Sequence, residues 1–359
     1  MAAEHEEGDD SGTIGDRVSV IVAPRQRWSL TTRSLEAVIA AMPAGCQLVY
    51  VDGGAPAAIS DELRTMVDAA GGTFIRRECV LSGNEGRNLG LEVADREFVV
   101  FVDNDVIPGD PWIEPLVRCA DETGAVIVGP LVYHGRDESS RTIHVAGGDV
   151  EITDGVMETN SRRFEYRQHD EVSDELVRQA TQQLEFHCMM VRTSFAEEIA
   201  PLDEGLSTLG DHEDVVLQAH HRGLGVWLEP ESTITYLSMI RLEDDEIGYW
   251  QMRWSEDWNR QSLERFCDKW DLDIGRGWPA AARRWASRER TRWYHGRSQL
   301  FGYAGRAFRL ANRYQVGALL TRSIEERAMS RQRHHEIERR LEAGYPAIPG
   351  TAKQLAAVR

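Results

Sequence analysis

The sequence predicts an α/β fold, in which a mostly parallel β-sheet is flanked by helices and followed by a helical C-terminal region. From residue 17 to about residue 105, short apolar runs alternate with helix-like segments, as in parallel sheets with crossover helices. Runs such as FVVFV lack polar alternation, which is typical of strands covered on both faces. From about residue 243 the composition shifts to Trp, Arg and good helix formers.

The first half of the predicted sheet contains four strands. RVSVIVA, residues 17–23, is the first, and the helix after it has Ser29 as its candidate cap. CQLVYVDGG is a second strand that ends near Asp52, and TFIRRE is a third. SGNEGRNLGLEVA is a helix, and EFVVFVDND is a strand that runs into Asp103 and Asp105.

The second half of the predicted domain is less regular. We expect a helix capped by Asp110, with Pro111 at its first position, and then the strand AVIVGPLVY. Residues 134–183 are polar and predict an excursion over the sheet, after which LEFHCMMVR is apolar again. A helix is predicted to stop at Gly223, and LGVWLEPESTITYL predicts two short strands.

Aromatic residues recur at spacings of four or its multiples in the C-terminal region. Trp250, Trp254, Trp258, Phe266 and Trp270 follow this spacing and predict one helical face. Such a face packs in a core or against a neighbouring domain, or it binds a membrane or an acceptor. We favour packing.

Charge is unevenly distributed along this chain, whose net charge is −18. Residues 246–359 carry 22 Lys or Arg and 13 Asp or Glu, whereas the remainder of the chain carries 19 Lys or Arg and 46 Asp or Glu. The basic part could bind an acidic partner or dock on the acidic body, and we favour docking. Residues 1–16 predict a disordered acidic tail, and a cytoplasmic protein is expected because no signal peptide or apolar span is visible.

Acidic residues follow two of the predicted parallel strands. Asp52 and Asp103 lie at strand carboxyl ends, where α/β sheets bind their ligands. Asp103 and Asp105 are separated by one residue, so one of them is expected to face a metal. Mg²⁺ or Mn²⁺ held by one or two carboxylates and by phosphate oxygens would fit. The five cysteines are scattered singly and predict neither a zinc site nor a disulfide framework.

Four stretches in order resemble the family 2 glycosyltransferases of the GT-A fold. They are VSVIVAPRQR, LVYVDGGAP, NEGRNLGLEVADREFVVFVDNDV and PLDEGLSTLGDHEDVVLQAHHRG. The third contains the Asp-x-Asp motif that this family places after an apolar strand. The resemblance implies a Rossmann-like GT-A domain at about residues 17–240, which binds a nucleoside-diphosphate sugar, and leaves residues 241–359 as the helical C-terminal region.

The resemblance implies a donor site at the strand ends. Pro24 and Arg25 would flank the nucleotide, and Asp52 would hydrogen-bond the base. Arg87 would contact the phosphates or the Asp-x-Asp segment. Asp103 would face the ribose or the sugar.

The resemblance also implies a divalent metal, Mg²⁺ or Mn²⁺, at Asp105, with Asp103 and the intervening Asn104 completing the motif. The histidine that the family often supplies later in the chain is replaced here by Tyr236. Histidines elsewhere could compensate, and His187, on an apolar strand, is the first candidate. The others considered are His134, His144, His220 and His221.

The HED triplet matches the family's Glu-Asp motif in front of the acceptor site. An inverting transfer needs one base to deprotonate the acceptor. Asp214 is the first choice for this base, with Glu213 as its catalytic neighbour. These acids could instead only favour the start of a helix, where negative charge is stabilised.

The sequence therefore predicts a metal-assisted, inverting glycosyltransferase of the hexosyltransferase class that uses a nucleotide sugar, with a UDP-sugar first. The acceptor is left open among saccharide, peptide, lipid and small metabolite. No nucleic-acid partner is expected, and the C-terminal helices are candidates for homo-oligomer contacts. The alternatives are a retaining GT-A transferase, a sugar nucleotidyltransferase, or a catalytically silent nucleotide-sugar-binding or scaffold protein.

Overall fold

The computed structural model describes most of the chain. The described residues are 13–25, 27–160, 163–240, 242–243, 245–290 and 334–351. Residues 1–12 of the predicted acidic tail lie outside them, and a short 3-10 helix, Ile14–Arg17, precedes the first strand. Much of the basic C-terminal region also lies outside the described residues.

The described elements alternate between strands and helices through the first half of the chain. The strands are β1 Val18–Ala23, β2 Gln47–Gly53, β3 Thr73–Arg77, β4 Phe98–Asp103, β5 Val106–Pro108, β6 Ile127–His134, β7 Thr142–Val145, β8 Val150–Thr153, β9 Val156–Thr159, β10 Gln179–Ala180, β11 Cys188–Arg192 and β12 Val226–Tyr236. The helices are α1 Trp28–Ala41, α2 Ala57–Ala69, α3 Gly83–Leu91, α4 Ile113–Thr123, α5 Thr193–Ile199, α6 Asp211–His221, α7 Ile247–Arg253, α8 Glu256–Trp270 and α9 Gly277–Arg290.

Ten of these strands form one mixed sheet. Its order is β10-β12-β6-β11-β4-β1-β2-β3, with β5 beside β12 and β7 beside β6. The neighbours β4, β1, β2 and β3 are parallel, as predicted, whereas β11 runs antiparallel between β4 and β6. The strands β8 and β9 form a separate hairpin within the predicted excursion.

The central strands are buried on both faces, which explains their continuous apolar sequence. Val20 of β1 belongs to a cluster that includes Leu35 of α1 and Leu116 of α4. Ile21, its neighbour in the strand, belongs to a second cluster that includes Val215 of α6. Successive residues of a strand point to opposite faces, so β1 joins the two helical layers.

Two predicted helix starts are wrong. Ser29 lies inside α1, which begins at Trp28, because the backbone N and Oγ of Ser29 both donate to Oε1 of Glu246 instead of capping the helix. Asp110 and Pro111 precede α4, whose N-cap is Trp112.

The segment LGVWLEPESTITYL forms one strand, β12, where two short strands were predicted. The register shifts between Glu229 and Thr233, and this irregularity contains the proline that suggested a break. Strand pairing continues on either side because β6 accompanies β12 along its whole length. The strand therefore reaches Tyr236 beside the Asp-x-Asp segment, where the backbone N of Leu237 donates to the carbonyl oxygen of Asp105 at 3.0 Å.

The tryptophan-rich segment forms two helices, where the spacing predicted a single face. Ser255 caps α8 by accepting a hydrogen bond from the backbone N of Trp258, so α7 ends before it. Trp250 and Trp254 pack in one buried cluster, and Trp258 packs in another. All three residues therefore pack in buried clusters, and Trp250 and Trp254 also line a cavity. Within the described residues, every helix is too short or too polar to cross a membrane.

The segment 334–351 packs against the loop that precedes α3. Arg340 and Glu85 form an ion pair in which both side chains are almost completely buried, with Nη2 of Arg340 2.7 Å from Oε1 of Glu85. Arg340 also donates to the carbonyl oxygen of Val80. Nε of Arg77 donates to Oη of Tyr345 at 3.1 Å. Residues late in the chain thus support the helix that carries Arg87.

Candidate active site

The ends of β1 and β4 bring four of the predicted residues together. Ala23 pairs with Asp103 in the parallel register, so Arg25 lies directly beside the Asp-x-Asp segment. Nε of Arg25 is 2.9 Å from Oδ1 of Asp103, and its backbone N donates to Oδ1 of Asn104 at 3.0 Å. Pro24 lies so close to Gly86 of α3 that a Cβ at Gly86 would be 2.5 Å from the proline ring.

Basic side chains surround Asp103 on several sides. Besides Arg25, Nη2 of Arg87 lies 3.5 Å from its Oδ1, and Nδ1 of His187 lies 3.2 Å from its Oδ2. Burial opposes ionisation, but the charge of Arg25 and the contacts with His187 and Arg87 outweigh it and lower the pKa of Asp103. Asp103 is therefore an ionised residue that organises its neighbours.

Asp105 is buried but much less well satisfied. Its Oδ1 has no hydrogen-bond partner among the described residues. Burial and the charge of Asp103 raise the pKa of Asp105. Ligand atoms of Asp103, Asp105 and His187 all lie within 4.8 Å of one another. A divalent cation would supply the missing partner and offset the repulsion between the carboxylates, so these residues fit the metal that the Asp-x-Asp motif implies.

Arg87 connects the Asp-x-Asp segment to the start of α6. Its Nη1 donates to Oδ2 of Asp211 at 3.0 Å and to Oδ1 of Asn84 at 2.9 Å. Its guanidinium lies 3.5 Å from the ring centre of Phe186. Burial and the charge of Arg25 lower the pKa of Arg87 to about 10, so the side chain is still a cation at neutral pH.

Asp52 lies at the same sheet edge but is bound by its own surroundings. Oδ1 accepts from the backbone N of Ala55 at 2.9 Å, and Oδ2 accepts from Oγ of Ser60 at 2.7 Å. Arg76 forms an ion pair with the same carboxylate. The position agrees with the predicted strand end, and contact with a base would require Asp52 to share these partners.

The first turn of α6 carries a second group of charged side chains. Nε2 of His212 is 3.0 Å from Oε1 of Glu213, and its Nδ1 is 3.3 Å from Oδ1 of Asp211. Oε2 of Glu213 is buried and has no hydrogen-bond partner among the described residues. Burial alone would raise the pKa of Asp211, but His212 and Arg87 lower it.

Asp214 points away from this group, toward α8. Its oxygens contact Nζ of Lys269 at 2.8 Å, Nε1 of Trp270 at 2.9 Å and Nε2 of Gln218 at 3.0 Å. Burial raises the pKa of Asp214 and outweighs the opposing effect of Lys269. Oδ2 accepts hydrogen bonds from Lys269 and Gln218, and Oδ1 accepts one from Trp270 and lies 2.8 Å from Nζ of Lys269.

A cavity of about 530 Å³ separates the strand ends from the tryptophan-rich helices. Its polar wall includes Asp103, His187 and Glu213, whereas its aromatic wall includes Trp250 and Trp254. Asp214 and Asp52 are not part of this lining. Cavities of this size commonly bind small molecules or parts of larger ones.

His187, the histidine selected from the sequence, does contact the Asp-x-Asp segment. Its ring stacks on Tyr236 with ring centres 4.1 Å apart, and its Nε2 is 3.3 Å from Nε2 of His144. Sequence reasoning gave no role to Glu185 and Asp211. It named His144 only among the further histidines that could act as metal ligands. His144 and Glu185 lie in or near the irregular excursion, where no sequence pattern indicates which residues meet.

A match to a family model decides the family. Residues 19–199, just over half of the 359-residue chain, match the family described as Glycosyl transferase family 2. The chain belongs to this family. The enzyme is therefore a glycosyltransferase with the GT-A fold, which confirms the predicted fold and enzyme class.

This glycosyltransferase also aligns with solved structures at low identity. One is described as GalNAc-T7 with UDP, GalNAc and Mn²⁺ (14% identity, TM-score 0.47), and the alignment covers 71% of this chain and 55% of that one. Another is described as S. aureus TarS 1-349 (14% identity, TM-score 0.44), and the alignment covers 80% of this chain and 73% of that one. This chain spans about half the length of GalNAc-T7. No curated protein sequence matches it.

Proposed function

We propose that this glycosyltransferase transfers a sugar from a nucleoside-diphosphate sugar, with a UDP-sugar as first choice, to an acceptor nucleophile with inversion and with the help of Mg²⁺ or Mn²⁺. The observation that carries the proposal is the group Asp103, Asp105 and His187 at the strand ends, where Oδ1 of Asp105 is buried without a partner among the described residues. Carboxylates that share a site in this way commonly hold a divalent ion.

Asp105 is the proposed principal metal ligand, with Asp103 and His187 as the neighbours able to complete the site. When bound, the ion would neutralise charge on the diphosphate and so assist its departure. Arg25 and Arg87 contact Asp103 and would add positive charge beside the proposed position of the phosphates. Because these cations are already held in place, they need no rearrangement as charge develops on the leaving group.

The remaining donor contacts are proposed from the family motif together with their positions. Pro24 and Asn104 would flank the nucleotide beside Arg25, and Asp52 would meet the base. Ser60 and Arg76 would hold Asp52 in the required orientation. The acceptor, whether saccharide, peptide, lipid or small metabolite, would enter along the aromatic wall of the cavity.

Glu213 is the proposed base, although the sequence alone favours Asp214. Glu213 lines the cavity and keeps Oε2 without a hydrogen-bond partner among the described residues, and His212 holds its other oxygen. Asp214 faces α8 and is occupied by Lys269 and Trp270. A base must reach the proton that it removes, and Glu213 meets that condition better.

Donor hydrolysis in the absence of acceptor tests the proposal. The full chain is incubated with a panel of UDP-, GDP- and TDP-sugars, with Mn²⁺, with Mg²⁺ or with chelator, and release of nucleoside diphosphate is measured. We expect slow metal-dependent release that Asp105→Ala abolishes and that Asp61→Ala, an exposed acid on α2, leaves unchanged. A wild-type protein that binds a donor but releases no diphosphate with either metal would contradict the proposal and favour a binding or scaffold role.

A further inference from the structure

We propose that His144, Glu185 and His187 form a second metal site, of the zinc type, in addition to the Asp-x-Asp site. The three side chains come from β7 and from the segment just before β11, and all of them line the central cavity. The inference rests on the geometry of these residues and does not depend on the proposed donor. It shares His187 with the Asp-x-Asp group, so with both ions bound the Asp-x-Asp ion would be left to Asp103 and Asp105.

Three ligand atoms form a nearly equilateral triangle. Nε2 of His144 is 3.3 Å from Nε2 of His187. Oε2 of Glu185 is 3.4 Å from Nε2 of His144 and 3.2 Å from Nε2 of His187. A tetrahedral zinc ion with ligands at about 2.0–2.1 Å places neighbouring ligand atoms roughly 3.3–3.4 Å apart. The triangle therefore has the dimensions of one face of a zinc coordination shell.

The other ring nitrogen of each histidine faces a carboxylate. Nδ1 of His187 is 3.2 Å from Oδ2 of Asp103, and Nδ1 of His144 is 3.7 Å from Oε1 of Glu165. Histidines that bind metals usually direct their second nitrogen to a carboxylate or a carbonyl, which fixes the tautomer and the ring orientation. A carboxylate therefore lies near the Nδ1 atom of each histidine, although neither Nδ1 makes a hydrogen bond among the described residues.

The site is enclosed and its rings are held in place. The side chains of His144, Glu185 and His187 are only 9%, 15% and 15% exposed. The ring of His187 stacks on Tyr236. Two imidazole Nε2 atoms at 3.3 Å can share at most one proton between them, whereas a cation would bind both lone pairs and the carboxylate at once.

Two histidines and one glutamate leave a coordination position for water or for a substrate oxygen, as in catalytic zinc sites. All three ligands line the cavity, so a molecule bound in the cavity would be close to that position. His187 presents Nε2 to this site and keeps Nδ1 toward Asp103. The ion of the Asp-x-Asp site would then be held by the carboxylates, and the two sites would lie on opposite edges of one imidazole ring.

Cobalt substitution tests the second site. The full chain is stripped with chelator and titrated with Co²⁺, whose visible absorption is strong in four-coordinate nitrogen and oxygen sites, and Zn²⁺ is then added to displace it. We expect this absorption in the wild type and in Asp105→Asn. It should be absent in His144→Asn and Glu185→Gln, with Zn²⁺ affinity lowered more than about 100-fold, because loss of an outer partner alone costs 10–100-fold.

The matched control is His334→Asn, which removes a histidine that is 74% exposed and does not line the cavity. It should bind Co²⁺ like the wild type. Wild-type absorption retained in both His144→Asn and Glu185→Gln, or lost in Asp105→Asn, would overturn the proposal.

X-ray absorption of the zinc-loaded wild type needs no variant, so it shows whether histidines bind the zinc even if the variants fail to fold. Scattering from two imidazole ligands is expected, and a shell of oxygen atoms alone would overturn the proposal. None of these measurements involves sugar transfer, so a negative result leaves the proposed glycosyltransferase mechanism standing.

Discussion

Glu213 and Asp214 are neighbours in sequence but have different surroundings. Consecutive residues of a helix point about 100° apart, so α6 turns Glu213 to the cavity and Asp214 to α8. Asp211, two residues before Glu213, is bound by Arg87 and is poorly suited to accept a proton. The three acids of one helical turn can therefore be distinguished by their partners.

Glu213→Gln should reduce transfer far more than Asp214→Asn. Loss of a general base commonly lowers the rate 10²–10⁴-fold, and the glutamine keeps the size of the side chain. Asp214→Asn should instead mainly lower thermal stability, since it weakens the contact with Lys269. Initial rates at saturating donor and thermal melts of both variants check this. Full activity in Glu213→Gln with loss of activity in Asp214→Asn would return the base to Asp214.

His212 should make stability depend on pH. Burial alone would lower the pKa of His212, but Glu213 and Asp211 raise it well above its ordinary value. A histidine with a raised pKa in the folded state stabilises fully below its unfolded pKa of about 6.5, and this contribution is lost as the pH rises through the folded value. The free energy of unfolding lost in His212→Asn should thus be largest below about pH 6.5 and should shrink at higher pH.

Urea unfolding of the wild type and His212→Asn across this pH range measures the difference, with the exposed His334→Asn as the control. A difference that grows as the pH rises would show that the imidazole is neutral in the folded protein.

Single residues were predictable from sequence where a pattern fixed their place. Asp103 and Asp105 follow a run of apolar residues, so a strand end could be assigned to them directly. Arg25 and His187 both contact Asp103, although the sequence placed Arg25 only beside the nucleotide. Glu185 and His144 could not be selected, because they meet only through the path of an irregular segment. The preference for Asp214 over Glu213 depended on the rotation of α6 relative to α8, which no local pattern reveals.

At the scale of elements, α6 depends on a glycine at its start. Gly210 has φ +84°, and a Cβ there would lie 2.7 Å from the ring of Phe266 in α8. Gly223, just after the same helix, also has a positive φ of +70°, but a Cβ there would meet nothing within 4 Å. Comparison of substitutions at the two glycines therefore separates the cost of backbone strain from the cost of a steric clash.

Gly210→Ala should destabilise the protein more than Gly223→Ala. Each substitution costs about 1–2 kcal/mol for the left-handed backbone, and only Gly210→Ala adds a clash with Phe266. The clash should also displace the turn that carries Glu213 and so lower activity. Denaturant unfolding and transfer assays of both variants test this. Equal destabilisation by the two substitutions would show that Phe266 moves aside freely.

Helix and strand identities were largely predictable, while their boundaries and breaks were less so. The strand of residues 17–23 and the helix that follows it are present. The break between α7 and α8 was missed because Ser255 caps a new helix within an unbroken aromatic spacing. The proline in β12 suggested two strands, yet pairing with β6 on both sides of the irregularity keeps one.

At the scale of the whole molecule, the ion pair between Arg340 and Glu85 connects distant parts of the chain. Removal of one partner from a buried ion pair typically costs 3–5 kcal/mol, because the other charge is left buried alone. Arg340→Ala should therefore lower the free energy of unfolding by about 3–5 kcal/mol. Arg340→Met combined with Glu85→Leu should recover much of that loss. Equilibrium unfolding in urea measures the free energy of unfolding of the single and the double variant. A decrease below 1 kcal/mol in Arg340→Ala would show that the pair contributes no more than a weak surface ion pair.

The overall architecture followed from the sequence only in part. Alternating strands and helices correctly indicated the parallel arrangement of β1, β2, β3 and β4. The antiparallel insertion of β11 between β4 and β6 was not predictable, since an apolar run does not show its direction. The docking of the segment 334–351 against the first half of the chain likewise depends on contacts between residues that are far apart in sequence.

The separation of Glu85 and Arg340 also matters during synthesis. They are 255 residues apart, and at about 5–20 residues per second a ribosome needs roughly 10–50 seconds to proceed from one to the other. The parallel half of the sheet is thus complete well before the cation that neutralises Glu85 exists. The contacts that Arg340 makes with Glu85 and Val80 can therefore form only after the ribosome has added the segment 334–351.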